Sequence, residues 1–130
     1  MDTKKCSEIY THVLDDFPVV KDSTVSRVVT NTENLRYVLF AFAVGQSLPE
    51  YASTRQIVLQ VLSGQILLHI DGREEHILGT GDFAYIRPST AHWVRAIEES
   101  HVALTMLKVA DEIGSDDTYF DDMNSGIKNS

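Results

Sequence analysis

From Ser23 onward the chain repeats a single texture. The runs "STVSRVVTN", "LRYVLFAFAV", "QIVLQVLSG", "QILLHID", "HILGTGDFAYIRP", "HWVRAI" and "HVALTMLKVA" follow one another, and between or within them lie "NTEN", "GQSLPE", "SG", "DGREE", "GTGD", "RPST" and "EES". Apolar runs of strand length separated by short Gly, Asp, Asn, Ser and Pro clusters predict an all-β sandwich or barrel. Asp71-Gly72 predicts a tight hairpin, because Asp-Gly readily takes the positive φ angles of a two-residue turn. The runs "YVLFAFAV" and "QILLHI" are apolar on both phases of the strand period. They predict strands covered on both faces, one by the barrel interior and the other by a second sheet or subunit.

The remaining segments frame that block. Residues 1–22 mix charged and apolar residues without a clear period, and "DDFPVVKDS" reads as an extended lead-in bent at Pro18. The end of the chain, 109–130, holds six acids and one base, and so carries −5 of the formal net charge of −8. It reads as a solvated, flexible tail rather than a calcium loop, since the alternation and glycine of an EF-hand are missing. The expected organisation is therefore a lead-in over 1–22, one β domain over 23–108 and an acidic tail over 109–130. An acidic surface with no Lys/Arg stripe argues against nucleic acid as a partner. The single cysteine, Cys6, excludes an internal disulfide and any Cys-x-x-Cys site. Asp15, Asp16 and Pro18 interrupt what a signal peptide would need, and no apolar run reaches membrane-spanning length. The cytoplasm is the expected address.

The glycine-bounded segments resemble the two motifs of the cupins, small antiparallel jelly-roll barrels. The family's first motif can be laid from Gly45 to Gly64 without a gap; its two histidine places then fall on Tyr51 and Ser53, and its glutamate place on Ile57. The second motif can be laid over "GDFAYIRPSTAH", from Gly81, with Arg87 in the proline place and Ser89 in the second glycine place. His92 then takes the histidine place and Ala96 the asparagine place. Sixteen residues separate Gly64 from Gly81, close to the shortest spacing that the family uses. The resemblance spans about residues 23–108 and implies an all-β, cupin-type double-stranded β-helix. It points further to a branch of very small single-domain cupins, some without a metal.

The occupants of the four ligand places decide what the resemblance implies for chemistry. Transition metals in cupins are held by neutral imidazoles and a carboxylate. A phenol is a poor ligand unless ionised, a serine hydroxyl is a weak donor and isoleucine has no lone pair at all. His92 alone cannot hold a divalent ion, since tight sites use three or four protein ligands. His69, His76 and His101 lie on separate strands without His-x-His spacing, and strand alternation turns Glu50 away from Tyr51 and Ser53. No metal and no other cofactor is therefore expected.

What the resemblance leaves is a barrel mouth of Tyr51, Ser53, Ile57 and His92, floored by Leu59 and Val61. Two readings of that mouth stand side by side. It is a small-molecule pocket, or Tyr51 fills the vacated space with its hydroxyl bonded to His92 or Ser53. Whether the barrel is open also turns on Phe83, Tyr85 and Trp93. Imidazole serves as an acid or base near neutral pH, and sugar epimerases of this barrel class use a His with a Tyr, so an isomerase is an analogy. Arg55 and Arg87 are rim candidates for clamping a carboxylate or phosphate, or for pairing with acids such as Asp82. Trp93 and Arg95 fall on the face opposite His92. The expected function is a metal-free cupin acting as a small-molecule binding or sensing module, working as a homodimer through residues 23–44. The alternative is a metal-dependent enzyme, a dioxygenase or isomerase, with relocated ligands around His92.

Overall fold

A computed structural model describes residues 6–109, and the expected acidic tail lies almost wholly outside the described residues. The apolar runs form antiparallel strands: β1 (Thr24–Asn31), β2 (Leu35–Phe42), β3 (Ser47–Tyr51), β4 (Gln56–Ser63), β5 (Gln65–Ile70), β6 (His76–Gly79), β7 (Phe83–Ile86), β8 (His92–Ala96) and β9 (Ser100–Leu107). They pair as a five-stranded sheet in the order β1-β2-β9-β4-β7 and a four-stranded sheet in the order β3-β8-β5-β6. The chain changes sheet at every connection except β1 to β2 and β5 to β6, which is the jelly-roll pattern that the sequence implied.

Strand alternation builds the interior. Ile57, Leu59 and Val61 of β4 and Val102 and Leu104 of β9 face Ile66 and Leu68 of β5 and Val94 and Ala96 of β8 in one buried apolar cluster. Burying each large aliphatic side chain contributes about 1.5–3 kcal/mol, so this interior dominates stability. Leu59 and Val61 thus belong to the packed core. Phe83 and Tyr85 are exposed, and Trp93 stacks on His69 with ring centroids 5.5 Å apart, so none of the three aromatics plugs the barrel.

The second apolar face of β2 is covered from within the chain. Phe17 of the lead-in is buried against Leu39, Ala41 and Ala103, with Val13, Leu14 and Val19 packed around it. Its carbonyl accepts a 2.7 Å hydrogen bond from His101 Nε2, and the Nδ1 of the same ring, an acceptor in the neutral form, lies 3.1 Å from the Ser63 hydroxyl. The Arg27 guanidinium lies 4.6 Å above the Phe17 ring and donates to the Asp16 carbonyl at 3.0 Å. A lead-in without strand periodicity thus docks through one aromatic anchor and a histidine clamp.

Two local expectations are corrected. "GQSLPE" reads as a turn, yet Ser47–Tyr51 is a strand. It lies at the edge of its sheet, where Pro49 withholds no donor that a neighbour requires, and its pairing with β8 is irregular between Leu48 and Tyr51. The Asp71-Gly72 turn does form, with Arg73 N donating to the Ile70 carbonyl at 2.9 Å. Only Gly72 of the pair takes a positive φ (84°), however, and the turn sits in a connection longer than two residues.

Candidate binding site at the barrel mouth

The pairing register brings two rows of residues face to face at one end of the barrel. Tyr51 pairs with His92 and His92 with Ile70 across the smaller sheet. Arg36, Met106, Ile57 and Ile86 follow one another across the larger sheet. Between the rows opens a cavity of about 370 Å³ lined by Phe40, Leu48, Ile57, Leu104 and Met106 on its apolar side. Arg36, Glu50, Tyr51 and His92 supply its polar groups. That volume and that mixture suit a small organic ligand.

Three of the four residues expected at the mouth meet there. Ile57, only 1% exposed, is a wall, and His92 is buried at 7% exposure. The Tyr51 phenol stands 60% exposed at the rim, its ring 6.4 Å from the His92 ring and nearly perpendicular to it. It does not fill the space beside the imidazole, and no hydrogen bond joins it to His92 or Ser53. Ser53 does not line the cavity: its hydroxyl accepts from Arg55 N at 3.0 Å and its carbonyl accepts from Ser89 N at 2.6 Å, so it ties two loops together. Residue 53 lies beyond the end of β3, where alternation no longer sets direction.

His92 has a defined tautomer in its neutral form. Nδ1 lies 3.2 Å from the Thr90 carbonyl, which can only accept, so the proton sits on Nδ1 and Nε2 is the bare acceptor. Glu50 lines the same cavity as Tyr51, contrary to the alternation argument, because the strand departs from regular pairing between Leu48 and Tyr51. Arg36 is a residue that the sequence reading missed. It shares the interior-facing parity of Phe40 and Phe42 in an apolar run, and a charge at such a position was a readable signal.

The donors do not fit a cupin metal. Among the described residues no three His, Cys, Asp or Glu side chains converge closely enough to hold an ion. At the family's ligand places stand a hydrocarbon, an outward phenol and a hydroxyl already engaged with the backbone beside one imidazole.

A family profile described as "Cupin domain" matches residues 38–108. The chain is a cupin. Among curated proteins none matches it. Solved structures do. A cupin superfamily protein from Desulfitobacterium hafniense superposes with a TM-score of 0.72 at 15% identity, over 84% of this chain and 99% of its own. A conserved protein of unknown function from Streptococcus pyogenes gives 0.71 at 19% identity, over 85% of this chain and 96% of its own. An RmlC-like cupin from Desulfovibrio desulfuricans gives 0.61 at 27% identity, over 82% of this chain and 96% of its own. These likenesses describe the fold of the cupin; its chemistry rests on its own residues.

One departure from the family pattern has an energetic signature. Ser89, in the second glycine place of the cupin motif, adopts a left-handed backbone with φ 61°. That conformation costs a non-glycine residue about 1–2 kcal/mol, partly offset by glycine's larger entropy loss on folding. Ser89→Gly is therefore expected to stabilise the protein by about 0.5–1 kcal/mol in urea unfolding. A loss of stability would show that the hydroxyl supports the fold instead.

Proposed function

We propose that this cupin binds or senses a small amphipathic molecule at the barrel mouth without a metal ion. The supporting observation is the cavity itself: apolar walls from both sheets at the place of the family's metal, with His92, whose Nε2 is a bare acceptor, and Tyr51, Arg36 and Glu50 as the polar residues of its lining. An apolar body would rest against Phe40, Leu104 and Met106. A hydroxyl or amide N–H on it would donate to His92 Nε2, and its outer end would meet Tyr51 and Arg36. Ring contacts with Tyr51 add to the fit because the phenol already stands at the opening.

The test is a metabolite library followed by thermal unfolding. A ligand at about 100 times its Kd stabilises by ~2.7 kcal/mol, which is roughly 10 °C or more for a domain of this size. Weakening binding about tenfold, the effect expected of His92→Ala and of Tyr51→Ala, removes ~1.4 kcal/mol of that gain. The proposal fails if no compound shifts the transition, or if hits act equally on both variants.

A further inference from the structure

We propose that a second cavity, on the far side of the Ile57 and His92 rows, binds a small organic anion, a carboxylate or phosphate carried on an apolar body. This cavity, about 720 Å³, lies along the seam between β6 and β7. Each of those strands is the last in its sheet and pairs with one neighbour only, so no hydrogen-bond ladder closes the barrel there. It shares no lining residue with the first cavity.

Leu68, Leu78 and Ile86 give it an apolar floor, and Arg73 and Arg87, both exposed, also line it. Neither takes part in an ion pair among the described residues. The carboxylate that sequence proximity offers to Arg87, that of Asp82, instead accepts from Gly79 N at 2.8 Å. The cavity does contain one acid, Asp71, and a histidine, His76, so two fixed positive charges face one negative charge. In a chain of net charge −8, two arginines that line one apolar cleft and have no ion-pair partner among the described residues make a local anion site within a repelling surface. That repulsion is screened over a Debye length of about 8 Å at physiological salt, whereas a guanidinium fork contacts its anion directly and bidentately.

Ser89 gives a second reason. It lines this same cavity while held at φ 61°, in the place where the cupin motif carries glycine. Backbone strain retained at a cleft is characteristic of functional positions, and here it falls on a hydroxyl-bearing residue two positions after Arg87 in the same cavity lining. The hydroxyl is a further donor among the residues of this cavity.

The test uses phenyl phosphate and phenylacetate as probes, with phenylacetamide as the uncharged control, titrated into the isotopically labelled full chain and followed by amide chemical shifts. Saturable shifts from at least one anion, centred on residues 71–90, support the proposal, and the stronger of the two identifies the headgroup. Arg73→Gln and Arg87→Gln should each weaken binding about tenfold or more. Ser89→Gly should weaken it while preserving the fold, and Tyr51→Ala, at the exposed rim of the first cavity and absent from the lining of the second, should leave it unchanged. No saturation by either anion, equal binding of the amide, shifts centred on Arg36 and Tyr51, or indifference to both arginine substitutions overturns the proposal. Because Tyr51 and the arginines line separate cavities, failure here and failure of the mouth site give different results.

Discussion

Replacing Gly64 with alanine is expected to cost at least about 4 kcal/mol, enough to lower the melting temperature by roughly 15–30 °C or leave the chain largely unfolded. Gly64 is the single residue between β4 and β5, where the chain leaves one sheet for the other, and its φ is +93°. A side chain there is strained by the backbone alone, at about 1–2 kcal/mol. The larger part is steric. A Cβ would lie 2.3 Å from the Glu99 carbonyl oxygen, 2.3 Å from Ser100 Oγ and 2.8 Å from Ser100 Cα. Ser100 cannot step aside cheaply. It is fully buried, its hydroxyl accepts from Gln65 N at 3.0 Å, and the carbonyl of Glu98 lies 2.8 Å away to receive its proton. Gly72 supplies the control, since it has φ +84° but nothing within 4 Å of an added Cβ. Gly72→Ala should therefore cost only about 1–2 kcal/mol. Equal losses in the two variants, measured by urea unfolding, would mean that the corner at Gly64 relaxes and that close approach is not what glycine serves there.

How much of this was readable in the chain follows from which physical signals are local. Strands such as β2, β4, β5 and β9 stand out because Val, Ile, Leu and Phe cluster at strand length, and that clustering is a property of neighbouring residues. β3 escapes notice because "SLPEY" is short, largely exposed and interrupted by proline. Only its pairing with β8 makes it a strand, and pairing is not written in five residues. The two-sided apolarity of β2 was legible, but not its cover. Part of that cover is Phe17, from a segment with no period of its own, held through His101 about eighty residues away in the chain. Sequence patterning shows that a face must be buried without saying by what.

The site divides in the same manner. His92, Tyr51 and Ile57 could be placed because strand alternation and the glycine framework of the cupin motifs give their positions, and the structure brings them to one cavity. Ser53 could not, because alternation ends with β3, and Glu50 could not, because the irregularity after Leu48 breaks the rule that would have turned it away. Phe40, Leu104 and Met106 reach the cavity through the register of β2 against β9 and β9 against β4, which depends on contacts far apart in the chain.

Restoring the family's carboxylate alone should harm the protein without recovering a metal site. Ile57→Glu removes a side chain that is 1% exposed from the core cluster, forfeiting about 1.5–3 kcal/mol of burial, and places a carboxyl against Phe40, Leu104 and Met106. An unsatisfied polar group there adds about 1–3 kcal/mol, so a total loss near 3 kcal/mol or more is expected in urea unfolding. Adding Mn²⁺, Ni²⁺ or Zn²⁺ should return less than about 2 °C of melting temperature, which corresponds to a few tenths of a kcal/mol. The reason is the donor set. The introduced carboxylate and His92 would make two ligands where three or four are needed, the Tyr51 phenol stands outward, and the Ser53 hydroxyl is committed to Arg55 N. A metal-dependent recovery of roughly 10 °C in this variant would show that unforeseen donors can close on an ion. So would one equivalent of transition metal in tag-free native protein that disappears in His92→Ala; in that case the mouth of this cupin is a metal centre and the metal-free binding proposal falls.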